Sequence, residues 1–256
     1  MTMERFGGRV IPLSTGRRLV GEILHHARKI PSLPLARDCQ IAALAEARSR
    51  LATPPSWMAI LMKAYGLVAL DRPELRRMYL TFPYPRLYEH NRSECALIVE
   101  REYQGETVVL AAKLVGIEHK SLLELDGHIH FFRTAEVWTV SEFRQMLRLA
   151  CYPKLVRRFG VWRVLNWSGP LRARRAGTFS MSSLGSFGVE QIHPLTPLTT
   201  YFTFGPIQPD GRVNLKIIYD HRVTDGRCIA RTLVDLENVL NTFLLKAAPV
   251  PGAHRP

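Results

Sequence analysis

The chain has 256 residues, 35 Lys and Arg against 22 Asp and Glu, and a formal net charge of +13. Its hydrophobic fraction of 46% allows a sizeable core in one large domain or two small ones. The positive excess predicts attraction to polyanions, anionic lipids, phosphorylated cofactors or acidic proteins. No apolar run reaches the roughly 18 residues of a membrane span, and the N-terminus has no secretory apolar stretch.

In chain order, "PLSTGRRLVGEILHHARKIP" carries cap residues at Ser14 and Thr15 and then Leu19, Ile23 and Leu24, which predicts a helix over 15–29. His25 and His26 are read as surface residues on it. "DCQIAALAEARSRL" predicts a second helix over 38–51, begun by Asp38, and "PPSWMAILMKAYGLVALDRPEL" a strongly apolar third over 54–75. From 95 the period changes. "CALIVEREY" and "ETVVLAAKLV" flank "QG" at 104–105, a β-hairpin pattern. His128 and His130 form an HxH pair without a third ligand nearby in sequence and are read as structural. "TVSEFRQMLRLA" predicts a helix over 139–150.

Alternation in "GTFSMSSLG" (177–185) predicts a half-buried strand, with Phe179 and Met181 on one face and Ser180 and Ser182 on the other. "TTYFTFG" and "RVNLKIIYD" flank "QPDG" as a second hairpin, and the stripe from Ile229 to Leu244 predicts a helix over 226–245. The four cysteines form no CxxC pair and have no zinc spacing; they are read as free thiols of a reducing compartment, with pairing left open. The simplest organisation is one mixed α/β domain over 1–248 with a disordered tail over 249–256. Within it, 143–176 is a basic and aromatic segment, with nine Arg or Lys from Arg144 to Arg175 and no acidic residue between Glu142 and Glu190.

The stretch "YDHRVTDGR" (219–227) sits on the turn between a predicted strand and the last helix. An imidazole can accept a proton from a hydroxyl, amine or thiol, so His221 suits a general base if its tautomer is fixed. Asp225 can fix it, directly or through an arginine, or serve merely as the cap of the following helix. "YDHRVTDG" resembles the DHRxxDG signature of the dihydrolipoamide acyltransferases, the cores of 2-oxo acid dehydrogenase complexes; chloramphenicol acetyltransferase carries a related HHxxxDG. "GTFSMSSLGSFG" resembles that family's GTFTISNLG strand, and "PLSTGRRLVGEIL" its PLSxMRRAIAERM opening. "KIPSLPLARDCQIAALAEARSRL" and "AAKLVGIEHKSLLEL" resemble further stretches in the same order, so the similarity spans nearly the whole chain.

The resemblance implies a two-layer α/β sandwich of mixed β-sheet and helices, assembled as a homotrimer with active sites between subunits. It makes His221 the base, Ser182 the donor to the tetrahedral oxyanion, and Asp225 a support paired with Arg17. The acyl group passes directly from a coenzyme A or acyl carrier protein thioester to a hydroxyl, amine or thiol, with no covalent enzyme intermediate. No cofactor is bound and no metal is needed. Ser183, His193, Arg157 and Arg158 are further candidates for substrate contact.

The relatives carry N-terminal lipoyl and subunit-binding domains, whereas residue 1 stands about ten residues before the opening motif. The expectation is therefore a stand-alone cytoplasmic acyltransferase whose acceptor is not protein-bound lipoamide. Two alternatives stand beside it: a non-catalytic trimeric scaffold, and a conventional dihydrolipoamide acyltransferase core served by a separate lipoyl protein. The 143–176 segment departs from the family. It has three readings: a surface lying on an anionic membrane, a dock for an acidic carrier protein or coenzyme A phosphates, or a solvated arginine face whose Trp, Leu and Val side chains pack in the core. Nothing beyond net charge points to nucleic acid.

Overall fold

The computed structural model describes residues 8–247, and side chains of the last helix as far as Thr242. The predicted tail and the last members of the helical stripe lie outside the described side chains. The first helix, α1 (Thr15–Ala27), starts where Ser14 Oγ accepts the Arg17 N–H at 3.3 Å. A strand follows that the sequence reading missed. β1 (Ser32–Gln40) runs through Asp38, which was expected to begin a helix. Asp38 instead accepts from Asn214 Nδ2 across the sheet at 2.7 Å. The second helix is only α2 (Ala42–Ser49), with Ile41 at its cap and no side-chain cap bond.

The third helix, α3 (Trp57–Asp71), begins at Ser56, whose Oγ accepts the Ala59 N–H at 3.2 Å. Pro73 starts a short 3-10 turn rather than continuing it. A two-stranded ribbon, β2 (Arg77–Leu80) and β3 (Arg86–Glu89), comes next. The predicted hairpin is β4 (Glu94–Tyr103) and β5 (Glu106–Val115), closed by Gln104 and Gly105, both at positive φ. Helices α4 (Leu122–Thr134), α5 (Ser141–Cys151), α6 (Lys154–Asn166) and α7 (Gly169–Ala176) precede β6 (Phe179–Met181). β7 (Thr200–Phe204) and β8 (Arg212–Asp220) form the second hairpin, and α8 (Gly226–Ala247) completes the described chain.

The main sheet is mixed, in the order β1-β8-β7-β6-β4-β5, with β6 parallel to both neighbours. Register explains why one face is the core. Cys95 stands beside Phe179, Phe179 beside Thr200 and Thr200 beside Tyr219, so every second residue of these strands points the same way. Leu97, Met181, Phe202, Phe204, Leu215 and Ile217 line that face with α3, α4 and α8 over it. α3 is apolar nearly all round, which suits a helix buried between the sheet and its helical neighbours. β6 is buried on both faces, so the half-buried strand expected from its alternation is corrected. The reason is coverage: α6 and α7 lay Val161 and Leu165 against Ala96 on the opposite side.

Tyr65 joins helix and sheet at the centre. Its ring stacks on Phe179 at 4.0 Å and on Phe202 at 5.4 Å, and its hydroxyl meets Thr200 Oγ1 at 2.6 Å. All four cysteines are free thiols. Among the described residues no helix is long and apolar enough to cross a membrane. Tyr65→Phe keeps the stacking and leaves the Thr200 hydroxyl buried without its partner. Urea unfolding is expected to show a loss of about 1–2 kcal/mol; an unchanged midpoint would mean the bond contributes nothing.

Candidate active site

β8 ends at Asp220, and α8 begins at Gly226 after five intervening residues. The turn between them is built around the Asp220 carboxylate, which is 1% exposed. Oδ1 accepts from the Arg222 backbone N–H at 3.0 Å and from Arg222 Nε at 2.9 Å, and Oδ2 accepts from Arg222 Nη2 at 2.7 Å. This two-pronged pairing is the strong form of an arginine–carboxylate contact. The Arg222 guanidinium also lies 4.4 Å over the Tyr79 ring. Val223 and Thr224 N–H groups donate to the Asp220 carbonyl. From behind, the buried Arg172 donates to the carbonyls of Tyr79, Leu165 and Pro197. Burial pulls the Arg172 guanidinium down to about 10, with Asp220 opposing that shift and Arg222 adding to it. Neither Asp220 nor Arg172 was picked out from sequence, although the D-H-R spacing contained half of the signal.

With its neighbours tied down, His221 faces outward. Its backbone N–H donates to Pro31 O at 3.1 Å. Its Nδ1 is 3.5 Å from Asp225 Oδ1, leaving Nε2 as the other ring nitrogen. Asp225 starts the helix through its carbonyl, which accepts from Cys228 and Ile229, while its exposed carboxylate turns to the histidine. Both sequence readings of Asp225 thus describe parts of one residue. The expected Arg17 pairing is absent: Arg17 sits at the start of α1 and forms no ion pair with Asp225. Tyr219 lies under the turn, 5.7 Å ring to ring from His221. Burial, then the Asp225 charge, raise its phenol above the ordinary value. A Cβ on residue 226 would stand 3.1 Å from the Tyr219 hydroxyl, a close approach that glycine accommodates.

Ser182 follows β6. Its Oγ donates to Gln191 Oε1 at 2.9 Å and lies 2.6 Å from Tyr201 Oη. Tyr201 is buried, and burial raises its phenol, so it stays protonated and donates to Ser182. Thr203 Oγ1 also donates to Gln191 Oε1, and Lys216 Nζ to the Gln191 carbonyl. Tyr201 and Gln191 had no sequence signal. Ser183 serves a turn: its hydroxyl donates to Phe204 O and accepts from Gly185 N–H. His193 meets Ser32 Oγ at 3.0 Å, and Ser32 pairs with Asp220.

Register separates these residues into two groups. Met181 is level with Phe202 and Phe202 with Ile217, so Ser182 stands near the level of Lys216. His221 lies five residues further along, about 16 Å at roughly 3.3 Å per residue. His221, Asp225 and His193 gather at the Asp220 end of β8, whereas Ser182 stands level with the middle of that strand.

Arg157 and Arg158 both serve the fold. Arg157 Nε and Arg158 Nε each donate to Glu22 at 3.1 Å, and Arg157 Nη1 reaches the carbonyls of Ala150 and Tyr152. Burial tends to raise the Glu22 carboxyl, but the bonds and charges of Arg158 and Arg157 hold it below its usual value. His26, expected at the surface, is buried 3.6 Å from Glu22; burial, then His25, lower its imidazole. Next to this network a cleft of about 490 Å³ opens between α1 and α6, lined by His25, Arg28, Lys154, Arg158 and Leu195. His128 Nδ1 bonds to the Glu124 carbonyl within its own helix.

No protein-family model and no curated protein sequence matches the chain. Solved structures do. A probable dihydrolipoamide acetyltransferase from Listeria monocytogenes superposes with a TM-score of 0.64 at 17% identity, covering 96% of this chain and 98% of that one. The Azotobacter vinelandii dihydrolipoamide acetyltransferase gives 0.66 at 18%, covering 95% of each. Chloramphenicol acetyltransferase gives 0.52 at 12%, covering 87% and 94%. The chain therefore has the α/β fold shared by dihydrolipoamide acetyltransferase catalytic cores and chloramphenicol acetyltransferase, as the sequence resemblance implied.

Two predictions follow from the ion pairs. Asp220→Asn strips the counter-charge from Arg222 and from the buried Arg172, and is expected to cost about 3 kcal/mol in denaturant unfolding. A loss within error of zero would show the clamp to be dispensable. Glu22, with its folded pKa lowered, stabilises the protein above its unfolded pKa of about 4.3, and this contribution is lost as pH falls through the lower folded value. In Glu22→Gln the unfolding free energy should be lower at neutral pH and flatter across that acid window; equal slopes in the two proteins would contradict the assignment.

Proposed function

We propose that the protein is an acyltransferase that moves an acyl group from a coenzyme A or carrier-protein thioester to a hydroxyl, amine or thiol, at a site shared between copies in a homotrimer. One observation carries this reading. His221 and Ser182 are each held by a dedicated polar network, yet register sets them about 16 Å apart along the strands of one sheet. Two prepared groups held that far apart on one chain suit a site closed by a neighbouring copy. The fold likeness supports the same reading. The Azotobacter vinelandii enzyme is described by a catalytic serine, histidine and asparagine, the last two four positions apart. Here Ser182, His221 and Asp225 stand in that order with the same final spacing.

The mechanism follows from the hydrogen bonds. Asp225 beside Nδ1 favours the tautomer with its proton there, so Nε2 is the basic atom. Nε2 takes the acceptor's proton as the acceptor attacks the thioester carbonyl. The carbonyl electrons move onto oxygen, and Ser182 of the neighbouring copy donates its O–H to that oxyanion. To do so the Ser182 proton turns from Gln191 Oε1, while Tyr201 continues to donate to Ser182 Oγ and sharpens it as a donor. When the intermediate collapses, the carbon–sulfur bond breaks and the thiolate leaves with the proton from His221. Ser182 forms no bond to the acyl group.

Native mass spectrometry with a panel of acyl-CoAs tests trimer and donor together. With acetyl-CoA as donor and free dihydrolipoamide as probe acceptor, His221→Ala should lower kcat about 10²–10⁴-fold. Ser182→Ala should lower it about 10²–10³-fold. Co-expression of the two inactive chains should restore part of the activity, because some mixed interfaces then carry both native residues. Active wild type with silent mixed trimers would rule out the shared site. Activity retained in folded His221→Ala would rule out the base.

A further inference from the structure

Two arginines of the basic segment point inward, and part of its apolar surface points out. Arg157 and Arg172 are buried, at 8% and 4% exposure, and are consumed by Glu22 and by five backbone carbonyls. Leu155, Phe159 and Trp167 of the same segment nevertheless face solvent, while Phe143, Leu147, Val161 and Leu165 pack inside. Leu155 is 79% exposed and Phe159 60%, and Trp167 is exposed as well. Leu155, Phe159 and Trp162 are spaced four and three apart, so they form one outward stripe on α6. Phe159 stacks on Trp162, and Phe82 from the loop after β2 stacks on Trp167 at 4.7 Å and meets Trp162 edge-on at 5.8 Å. The result is a continuous apolar ridge of aromatic rings and Leu155. Singly exposed apolar residues need no explanation, but a contiguous stacked row does.

Charge says what covers it. The rim carries Lys154, Arg158, Arg163 and Arg86, and no acidic residue occurs from 143 to 189. Beside the N-terminal end of the ridge lies the cleft between α1 and α6. Arg28 and Lys154 line it and have no ion pair among the described residues, nor has the adjacent Lys29. Only the buried Glu22 is close, and it is already shared by two arginines. Desolvation, then the charges of Lys29, Arg158 and Arg28, hold the His25 imidazole below its ordinary value, which marks a locally uncompensated positive field. A second copy of this chain brings a net charge of +13 towards that rim. An anionic bilayer brings the opposite charge, an apolar interior for the ridge and phosphates for the cleft.

We infer that the α6 ridge is a docking surface for an anionic membrane, with Leu155, Phe159, Trp167 and Phe82 entering the interface and the Arg28–Lys154–Arg158 cleft taking a lipid phosphate. The docking is peripheral. The ridge sits on the same block of β2, α6 and α7 to which Arg172 and Tyr79 tie the His221 turn. The inference does not rest on acyl transfer, because its readout is binding.

Vesicle flotation with the full chain tests it. Wild type should float with vesicles of equal parts phosphatidylcholine and phosphatidylglycerol and stay behind with phosphatidylcholine alone. Leu155→Ser with Phe159→Ser should bind about tenfold more weakly or worse, at unchanged native mass. Arg28→Ala with Lys154→Ala should weaken binding to the anionic vesicles, and millimolar glycerol phosphate should not release the wild type. No flotation of the wild type overturns the inference, and so does full flotation of the double serine variant, which would reduce the effect to bulk charge. Release by glycerol phosphate would also overturn it, by showing a soluble phosphate to be the ligand. A drop in native mass of the serine variant would assign the ridge to a subunit interface instead. A second measurement needs no variant: tryptophan emission of the wild type should shift to the blue and be quenched by brominated lipid in anionic vesicles, and emission indifferent to both counts against docking.

Discussion

The Asp220 carboxylate is the point on which the rest of the site depends. A buried anion is costly unless its charge is matched and its lone pairs are filled. Asp220 meets both conditions, with three bonds from Arg222 and the positive field of Arg172 behind it. That pairing fixes the end of β8, and the fixed end turns His221 out of the fold. It also fastens distant chain segments to one another. Arg172 belongs to α7 but bonds to Tyr79 on β2, and Tyr79 in turn lies beneath Arg222. The His221 turn therefore shares its footing with the helices of the basic segment.

A second constraint comes from the sheet itself. Strand pairing allows no choice about where Ser182 and His221 fall once β6, β7 and β8 are in register. Because β8 runs antiparallel to β7 while β6 runs parallel to it, the carboxyl ends of β6 and β8 point in opposite directions. A serine after β6 and a histidine after β8 are then kept apart along the strands. Gln191, Tyr201 and Thr203 surround the serine, and Asp220, Arg222 and Pro31 hold the turn that carries the histidine.

Much of this was legible in the sequence where local chemistry and tertiary environment agree. The QG turn, the apolar α3 and the stripe of α8 were read with the right type, because their periodicity matches their burial. β1 was not. Asp38 looked like a helix cap, but nine residues pair with β8 along the sheet edge, and Pro34 is tolerated there because an edge strand has one unpaired side. Of the site, the histidine and serine carried motifs, while their supports did not. Tyr201 and Gln191 reach Ser182 from 19 and 9 residues away, and Arg172 reaches carbonyls up to 93 residues distant. Such partners are set by packing, and no spacing rule announces them. Arg17 shows the converse: its motif position was suggestive, and its side chain is elsewhere.

The basic segment marks the limit of composition as evidence. Nine cations interleaved with aromatics fit a solvated arginine face over an apolar core, and α6 departs from that arrangement by burying Arg157 and exposing Leu155 and Phe159. The cause is the carbonyl groups at helix ends. Arg157 and Arg172 find several unpaired carbonyl oxygens each, and a buried guanidinium with five donors can satisfy more of them than any apolar side chain. α6 packs Arg157, Val161 and Leu165 inward, and Leu155 and Phe159 fall on its opposite, outward side. The exposed ridge thus shares its block of helices with the inward Arg172 that braces the His221 turn. A substitution that released Arg172 would disturb both, whereas one that only trimmed Leu155 or Phe159 would leave the turn as it is.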